Sequence, residues 1–417
     1  MSFQTGLSGL NASSRNLDVI GNNIANANTT GMKSSRAEFT SLYTTALGVG
    51  SGSSTGIGVA IANVAQQFTQ GNITITGNGL DVAINGGGFF QLRMPDGTSA
   101  YTRDGSFKLD KNGNLVTNAG AFVMGYPTDK TGKPTSATAQ ALTLPTAAPI
   151  GANATSTISA VFNLDARAPL AAGVPASAGP PPVAAIPPTP LTTYGTSLTV
   201  YDSQGTAIPI TVYMQKTGTD TWEVFTDPTS AATATATKIA TLNFSTNGTL
   251  TSTTPASPTI SIVSPNTNIG TFTAALDLSK VTQYGNNFQV SNITQDGYPS
   301  GDLVGVKVNE SGVIMANYSN GQTQAAGQIG LADFRNIQGL SPNQGNTWIE
   351  TFASGQPVQG APGVGRFGAL RAGSLEDSNV DLTAELVNMM TAQRAYQANA
   401  QTIKTQDQVL STLVNMR

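Results

Sequence analysis

The 417-residue chain carries 20 Lys and Arg against 23 Asp and Glu, a net charge of −3, and only 10% of its residues are charged, against about 25% in an ordinary soluble domain. It has no His and no Cys, which excludes disulfides, thiolate nucleophiles, Cys/His zinc centres and every His-dependent triad, and its charge balance leaves no basic footprint for nucleic acid or an anionic membrane. The length suffices for two or three domains with cores of their own, and 45 Gly with 22 Pro favour strands, turns and loops over long helices.

The chain opens on a helical pattern. Phe3, Leu10, Leu17 and Ile24 recur every seven residues, with Leu7 between the first two, the spacing of a coiled-coil seam. Asn22, Asn23 and Asn26 fall on the opposite side, and Arg15 and Asp18 are the only charged side chains from Met1 to Asn28. A face packed on identical neighbours avoids charge, because every charge would recur on each copy and be desolvated, whereas neutral amides both donate and accept. The asparagine face is therefore expected to be covered by other subunits. No run approaches the roughly 18 apolar residues of a transmembrane span, so no membrane insertion is expected. MSFQTGLSGLNASSR has neither the basic start nor the apolar block of a cleavable signal peptide, so export, if it occurs, is expected to leave the N-terminus uncleaved.

Residues 29–70 read as a linker, and Gly48, Gly50, Gly52, Gly56 and Gly58 predict that it lacks fixed secondary structure in a free monomer. Residues 71–145 and 284–364 read as an inner β domain. Short alternating runs are broken by turn pairs, with hairpins at Asp96-Gly97 and Asn112-Gly113. Between them, residues 146–283 read as an outer β domain inserted into the inner one, with a meander over SLTVYDSQGTAIPITVYMQ and TWEVF. Within it, residues 168–191 hold eight prolines and are expected to be an extended loop, not a strand of a central sheet. A second linker, residues 365–377, leads to a C-terminal helix expected to start after Ser378 or Asn379. Along it Leu382, Met389, Tyr396, Ile403 and Leu410 repeat every seven residues, and Leu386, Ala400 and Val414 follow at the four-residue offset, interrupted by Gln393 and Asp407. A lone terminal helix is marginal in water, so the seams of 1–28 and 378–417 are expected to pair with each other or with other copies. The fold class is thus multidomain α+β: paired, discontinuous terminal coiled-coil helices plus two mainly-β domains, the outer inserted in the inner.

No constellation favours an enzyme, and no cofactor or metal is implied. NGGGFF (85–90) lacks the Lys-Ser/Thr ending of a phosphate loop and reads as a tight turn before a strand Phe89–Leu92. Asp296, Asp302 and Glu310 lack calcium-loop spacing, and Asp104 and Asp110 read as solvated hairpin residues. Trp222 and Trp348 read as core or interface residues, and Lys33 with Arg36 is too small a basic run for nucleic acid.

SGLNASSRNLDVIGNNIANANTTGMKSSRAEF (8–39) resembles the N-terminal motif of the axial proteins of the bacterial flagellum, the rod, hook and hook-associated proteins. GLDVAINGGGFF (79–90) and YTRDGSFKLDKNGNLV (101–116) look like the next block of rod and hook proteins, and residues 378–417 look like the family's C-terminal helix. Residues 197–225 and 317–334 resemble hook proteins in particular, since rod proteins lack so large a central insert, and the Pro-rich stretch matches no family motif. The resemblance implies copies stacked helically into a short curved tube between rod and filament, terminal helices innermost and β domains farther out. Terminal heptads would supply a tightly packed inner tube, and low-charge outer domains would make smaller contacts that slide as it curves. It also implies export by the flagellar type III apparatus, and the distal rod, hook cap, hook-length control protein and hook-filament junction protein as partners. A rod subunit is the alternative within the family, and a secreted β-rich adhesin the alternative outside it.

Overall fold

A computed structural model describes residues 2–43, 56–145, 149–170, 172–174, 186–189, 194–226 and 238–415. The chain is mostly β with two helices, α1 (Ser2–Ala25) and α2 (Leu382–Asn415), one at each end. It divides into two compact units. The first comprises Met1–Ala147, Val304–Asn317 and Thr323–Arg417, and the second Ala148–Leu303 and Tyr318–Gln322.

In the first unit, α1 is followed by a long antiparallel hairpin, β1 (Ser35–Tyr43) and β2 (Gly56–Gln66), paired from Ser35↔Gln66 to Tyr43↔Gly56 with register shifts between Glu38 and Phe39 and between Leu42 and Tyr43. This corrects the expectation of an unstructured linker over 29–70. Gly56 and Gly58 lie in β2, while Gly48, Gly50 and Gly52 lie outside the described residues. The alternation SRAEFTSLY opposite GIGVAIANVAQ outweighs the glycines, because the ladder satisfies the backbone whatever the side chains. Short strands β3 (Ile73–Ile75), β4 (Val82–Asn85), β5 (Phe89–Arg93) and β6 (Ser99–Thr102) follow. β5 and β6 form the hairpin expected at Asp96-Gly97, and Lys108–Leu109 pairs with Leu115–Val116 around Asn112-Gly113.

The aromatic pair in NGGGFF shows how period-2 geometry builds this unit. Adjacent residues of a strand point to opposite faces, and here both faces are covered. Phe90 enters a core with Ile84, Leu92, Phe107, Leu115 and Val123. Phe89 enters a second cluster with Tyr101, Phe334, Leu340 and Trp348. The segment expected as a second linker, 365–377, is also strand: Ala369–Ala372 pairs with β4, and Ser374–Glu376 pairs with β3.

The second unit stacks two five-stranded sheets. One is an antiparallel meander in chain order, Tyr194–Tyr201, Ala207–Lys216, Thr221–Thr226, Lys238–Phe244 and Leu250–Thr254. The other is built around Thr157–Asp165, whose alternate residues Ile158, Ala160, Phe162 and Leu164 all point inward. They meet Val200, Met214, Trp222, Val224, Leu242, Ile260 and Leu276 in one core. The described parts of the Pro-rich stretch, Ala172–Val174 and Ile186–Thr189, pair as a separate two-stranded sheet.

One expected boundary moves. The second unit extends past residue 283 to Leu303, because Gln289–Gln295 runs antiparallel along Thr157–Asp165, from Ile158↔Gln295 to Asn163↔Gln289. The Asp296 carboxylate then accepts the backbone N–H groups of Ser156 and Thr157, 2.8 and 2.9 Å away. No composition break marks either position, so pattern alone could not separate a last strand of one unit from a first strand of the next.

Candidate functional site

α1 is nearly free of charge, yet most of it does not face solvent. One side lies on the β1–β2 hairpin. Asn23 is 1% exposed, its Nδ2 donates to Ser35 O at 2.8 Å and its Oδ1 accepts from Ser35 N at 2.9 Å, so the side chain acts as one more rung of the strand. Ser8 Oγ accepts from Val59 N at 3.3 Å. Gly58 has φ +139°, and a Cβ there would lie 2.2 Å from Ser8 Oγ, so only glycine lets the helix lie this close to the strand. This corrects the expectation that Asn22, Asn23 and Asn26 together face other subunits. Asn23 is spent inside the chain, whereas Asn22 is exposed and accepts from Asn26 Nδ2 at 2.9 Å.

The other side of α1 packs antiparallel on α2. A Cβ at Gly6 would lie 3.2 Å from Ile403 Cγ1, and one at Gly9 would lie 3.0 Å from the Asn399 amide. Asn399 Nδ2 donates to Ser13 Oγ at 3.4 Å. Small side chains on α1 thus let the two helices approach closely. Leu10, Leu17 and Ile24 are half-buried and Leu7 is exposed, while Phe3 and Val414 have side chains outside the described residues.

On α2 the half-buried and buried residues are Glu385, Met389, Ala392, Asn399, Ala400, Ile403 and Gln406. The second series of the seam is therefore at the three-residue offset, 385, 392, 399 and 406, and largely polar or small. The four-residue series turns outward at its start, where Leu386 is 51% exposed. Leu382, Val387, Met390, Tyr396, Val409 and Leu410 are also exposed. The first turn is capped by Asp381, not by Ser378 or Asn379: its Oδ1 accepts from Thr383 N at 2.9 Å and Ala384 N at 3.2 Å.

Both helices are tied to the inner sheet through one buried carboxylate. Glu376 and Lys33 are 0% exposed and Arg103 is 6% exposed. Lys33 Nζ lies 2.5 Å from Glu376 Oε1 and donates to Thr69 O at 2.8 Å. Arg103 Nη1 lies 3.2 Å from Glu376 Oε2, with its guanidinium over the Phe89 ring. Gly71 N donates to Glu376 Oε1 at 2.9 Å. Burial pushes the Lys33 and Arg103 pKa values down, and the charge and hydrogen bond of Glu376 oppose that shift in both. Asn379 completes the junction: its Oδ1 accepts from Ser34 N at 2.7 Å and its Nδ2 donates to Gln67 O at 2.7 Å and Thr69 Oγ1 at 2.9 Å. Sequence reasoning missed this cluster. Lys33 stood out as part of a basic pair and of the N-terminal motif, with no sign of its partner, which lies 343 residues away.

Family profiles match consecutive parts of the chain. They are described as flagella basal body rod protein over residues 3–33 and flagellar hook protein FlgE/F/G D1 domain over 83–160. Flagellar basal body protein FlaE D2 domain covers 163–298, and flagellar basal body rod FlgEFG protein C-terminal covers 371–416. The chain is also 44% identical over 425 residues to the flagellar hook protein FlgE of Salmonella typhimurium, with 100% of each chain covered. It belongs to the flagellar hook protein FlgE family. The FlgE protein of Escherichia coli K12 is likewise 44% identical over 424 residues, and that of Rhizobium meliloti 33% identical over 419, covering 100% of this chain and 98% of that one. The crystal structure of Helicobacter pylori FlgE2 shares the fold, with a TM-score of 0.53 at 16% identity over 73% of this chain and 100% of the other. The FlgE family is structural and not enzymatic, and its members are parts of the flagellum. No helix of this FlgE-family chain is long and apolar enough to cross a membrane, among the described residues.

Proposed function

We propose that this chain is the subunit of the flagellar hook, assembling helically with copies of itself into a short curved tube that passes torque from rod to filament. The observation that carries this reading is the apolar stripe of α2. Leu382, Leu386 and Met390, four residues apart on one face, are 42–53% exposed on a helix with few charges, and burying the exposed half of such a side chain contributes roughly 1 kcal/mol. In a polymer these side chains become interior. The assembly residues are then the seam positions Phe3, Leu7, Leu10, Leu17 and Ile24 on α1 and Leu382, Leu386, Met389, Tyr396, Ile403, Leu410 and Val414 on α2, with Asn22 and Asn26 available to neighbours. The paired helices act as a coiled coil and line the tube. The second unit is an outer domain inserted in the inner one, with smaller contacts that slide as the tube bends. An open-ended heterologous contact produces such a filament instead of a closed ring. The distal rod, hook cap, hook-length control protein and hook-filament junction protein are the expected partners, and the type III apparatus the expected route of export.

Electron microscopy of basal bodies from a strain lacking the gene tests this. Complete rods with no curved segment beyond them are expected. Rods that stop short would make the chain a rod subunit, and normal flagella would return the adhesin reading.

A further inference from the structure

Beyond Phe89, the same face of β5 continues with Gln91 and Arg93. Gln91 stands opposite Tyr101 and Arg93 opposite Ser99 on β6. These residues floor a cavity of about 450 Å³ within the first unit, walled by Met124, the turn 137–139 and Gln359, a volume in the range of small-ligand sites. Gln91 is 4% exposed, and its Nε2 has no hydrogen-bond partner among the described residues. Native folds rarely leave a buried amide in that state unless something outside the chain supplies the partner. Arg93 is the one charged residue lining the cavity. It is exposed and in no ion pair among the described residues. The neighbouring carboxylates are already engaged. Glu350 accepts from the Tyr101 hydroxyl at 3.0 Å, and Asp96 accepts from Thr98 N at 2.9 Å and Thr98 Oγ1 at 2.7 Å inside the hairpin.

We propose that this cavity binds a short peptide segment bearing a carboxylate, either an acidic side chain or a free C-terminus. The guanidinium fork of Arg93 matches a carboxylate in two parallel hydrogen bonds. Gln91 adds what a bare anion does not need: a donor and an acceptor side by side, the complement of a peptide amide. Its terminal torsion is broad and two-fold, so either end of the amide can turn to the ligand. The two side chains are about 7 Å apart along the strand. An extended peptide has the same repeat, so a segment lying along β5 places its carboxylate on Arg93 while one of its backbone amides pairs with Gln91. Met124, Ala137 and Ala139 give its carbon atoms an apolar wall. The site is independent of the polymerisation reading, because all of it belongs to a single copy.

The unpolymerised full-length chain, isotope-labelled at its glutamine side chains, is titrated by NMR with three tripeptides blocked at the N-terminus: Ala-Glu-Ala amide, Ala-Gln-Ala amide, and Ala-Ala-Ala with a free C-terminus. The Gln91 amide signal is the one missing from Gln91→Met. At least one of the two carboxylate peptides is expected to shift it saturably, with a Kd of about 1 mM or tighter, and the tighter of the two identifies the source of the carboxylate. The neutral peptide is expected to bind at least about tenfold more weakly, and Arg93→Gln to weaken the carboxylate peptide about tenfold without changing the melting temperature. No shift from either carboxylate peptide at about 10 mM would overturn the proposal and leave solvent as the partner of Gln91. Equal binding of the neutral peptide, or an unchanged Kd in Arg93→Gln, would overturn it as well. So would acetate binding as tightly as the peptides, since no peptide amide would then be read.

Discussion

Two buried cations share one buried carboxylate in the Lys33–Glu376–Arg103 cluster. Removing that carboxylate leaves both cations buried and unpaired, which costs about 3–5 kcal/mol in comparable pairs. Glu376→Gln is therefore expected to destabilise the first unit by that order in urea unfolding. Lys33→Met should cost less, since Glu376 keeps Arg103. Equal effects would mean that Arg103 does not hold the carboxylate. In the second unit, Asp202 is wholly buried. Burial raises its pKa, but donors from Thr206 N, Ser264 Oγ and Gln204 N outweigh that and hold it below the ordinary 3.8. The native carboxyl then binds its proton later than the unfolded one. Its contribution is full above pH 3.8 and is lost as pH falls through the depressed native value. Asp202→Asn is expected to lower the second unit's melting temperature at neutral pH and to flatten its decline below about pH 4. A decline as steep as in the parent protein would assign the acid sensitivity to other carboxylates, Asp296 and Asp277 first.

At the scale of elements, the spacing of α1 and α2 depends on Gly6 and Gly9. Gly6→Val would press branched methyls against Ile403, already 3.2 Å from a single Cβ. Amide exchange in α2 is expected to accelerate at least about tenfold, with the sheet of the first unit unchanged, because α2 alone is a marginal helix. Unchanged protection would show that α2 does not depend on α1. The stripe on α2 behaves oppositely. Leu386→Glu with Met390→Glu should alter monomer stability by no more than about 0.5 kcal/mol, as exposed changes do, while abolishing polymerisation measured by sedimentation. A seven-residue repeat revealed both helices from sequence, but not which neighbouring series faces inward. Offsets of three and four both flank a seam, and at 399 the inward choice follows from Gly9 on α1, which admits the Asn399 amide. Glycine misled in the other direction at 29–70, where cross-strand pairing built a hairpin from a stretch that composition assigned to a loose linker.

Over the whole molecule, each unit has its own core, one gathered around Trp222 and the other around Phe90. Calorimetry of the full chain is expected to show two transitions, with Trp222→Ala lowering only the second unit's; a single shared transition would show that the units unfold as one. Periodicity and turn chemistry are local properties, and they sufficed for two terminal helices, β-rich middle regions and hairpins at Asp96-Gly97 and Asn112-Gly113. The motif residues 8–39, 79–90, 101–116 and 378–417 sufficed for the family. Long-range pairing has no local trace. The junction at Glu376, the place of Asn23 against Ser35, the strand Gln289–Gln295 on Thr157–Asp165 and the cavity beside Gln91 were decided only by the tertiary structure. Each depends on which distant backbone arrives beside a side chain, and spacing along the chain carries no record of that arrival.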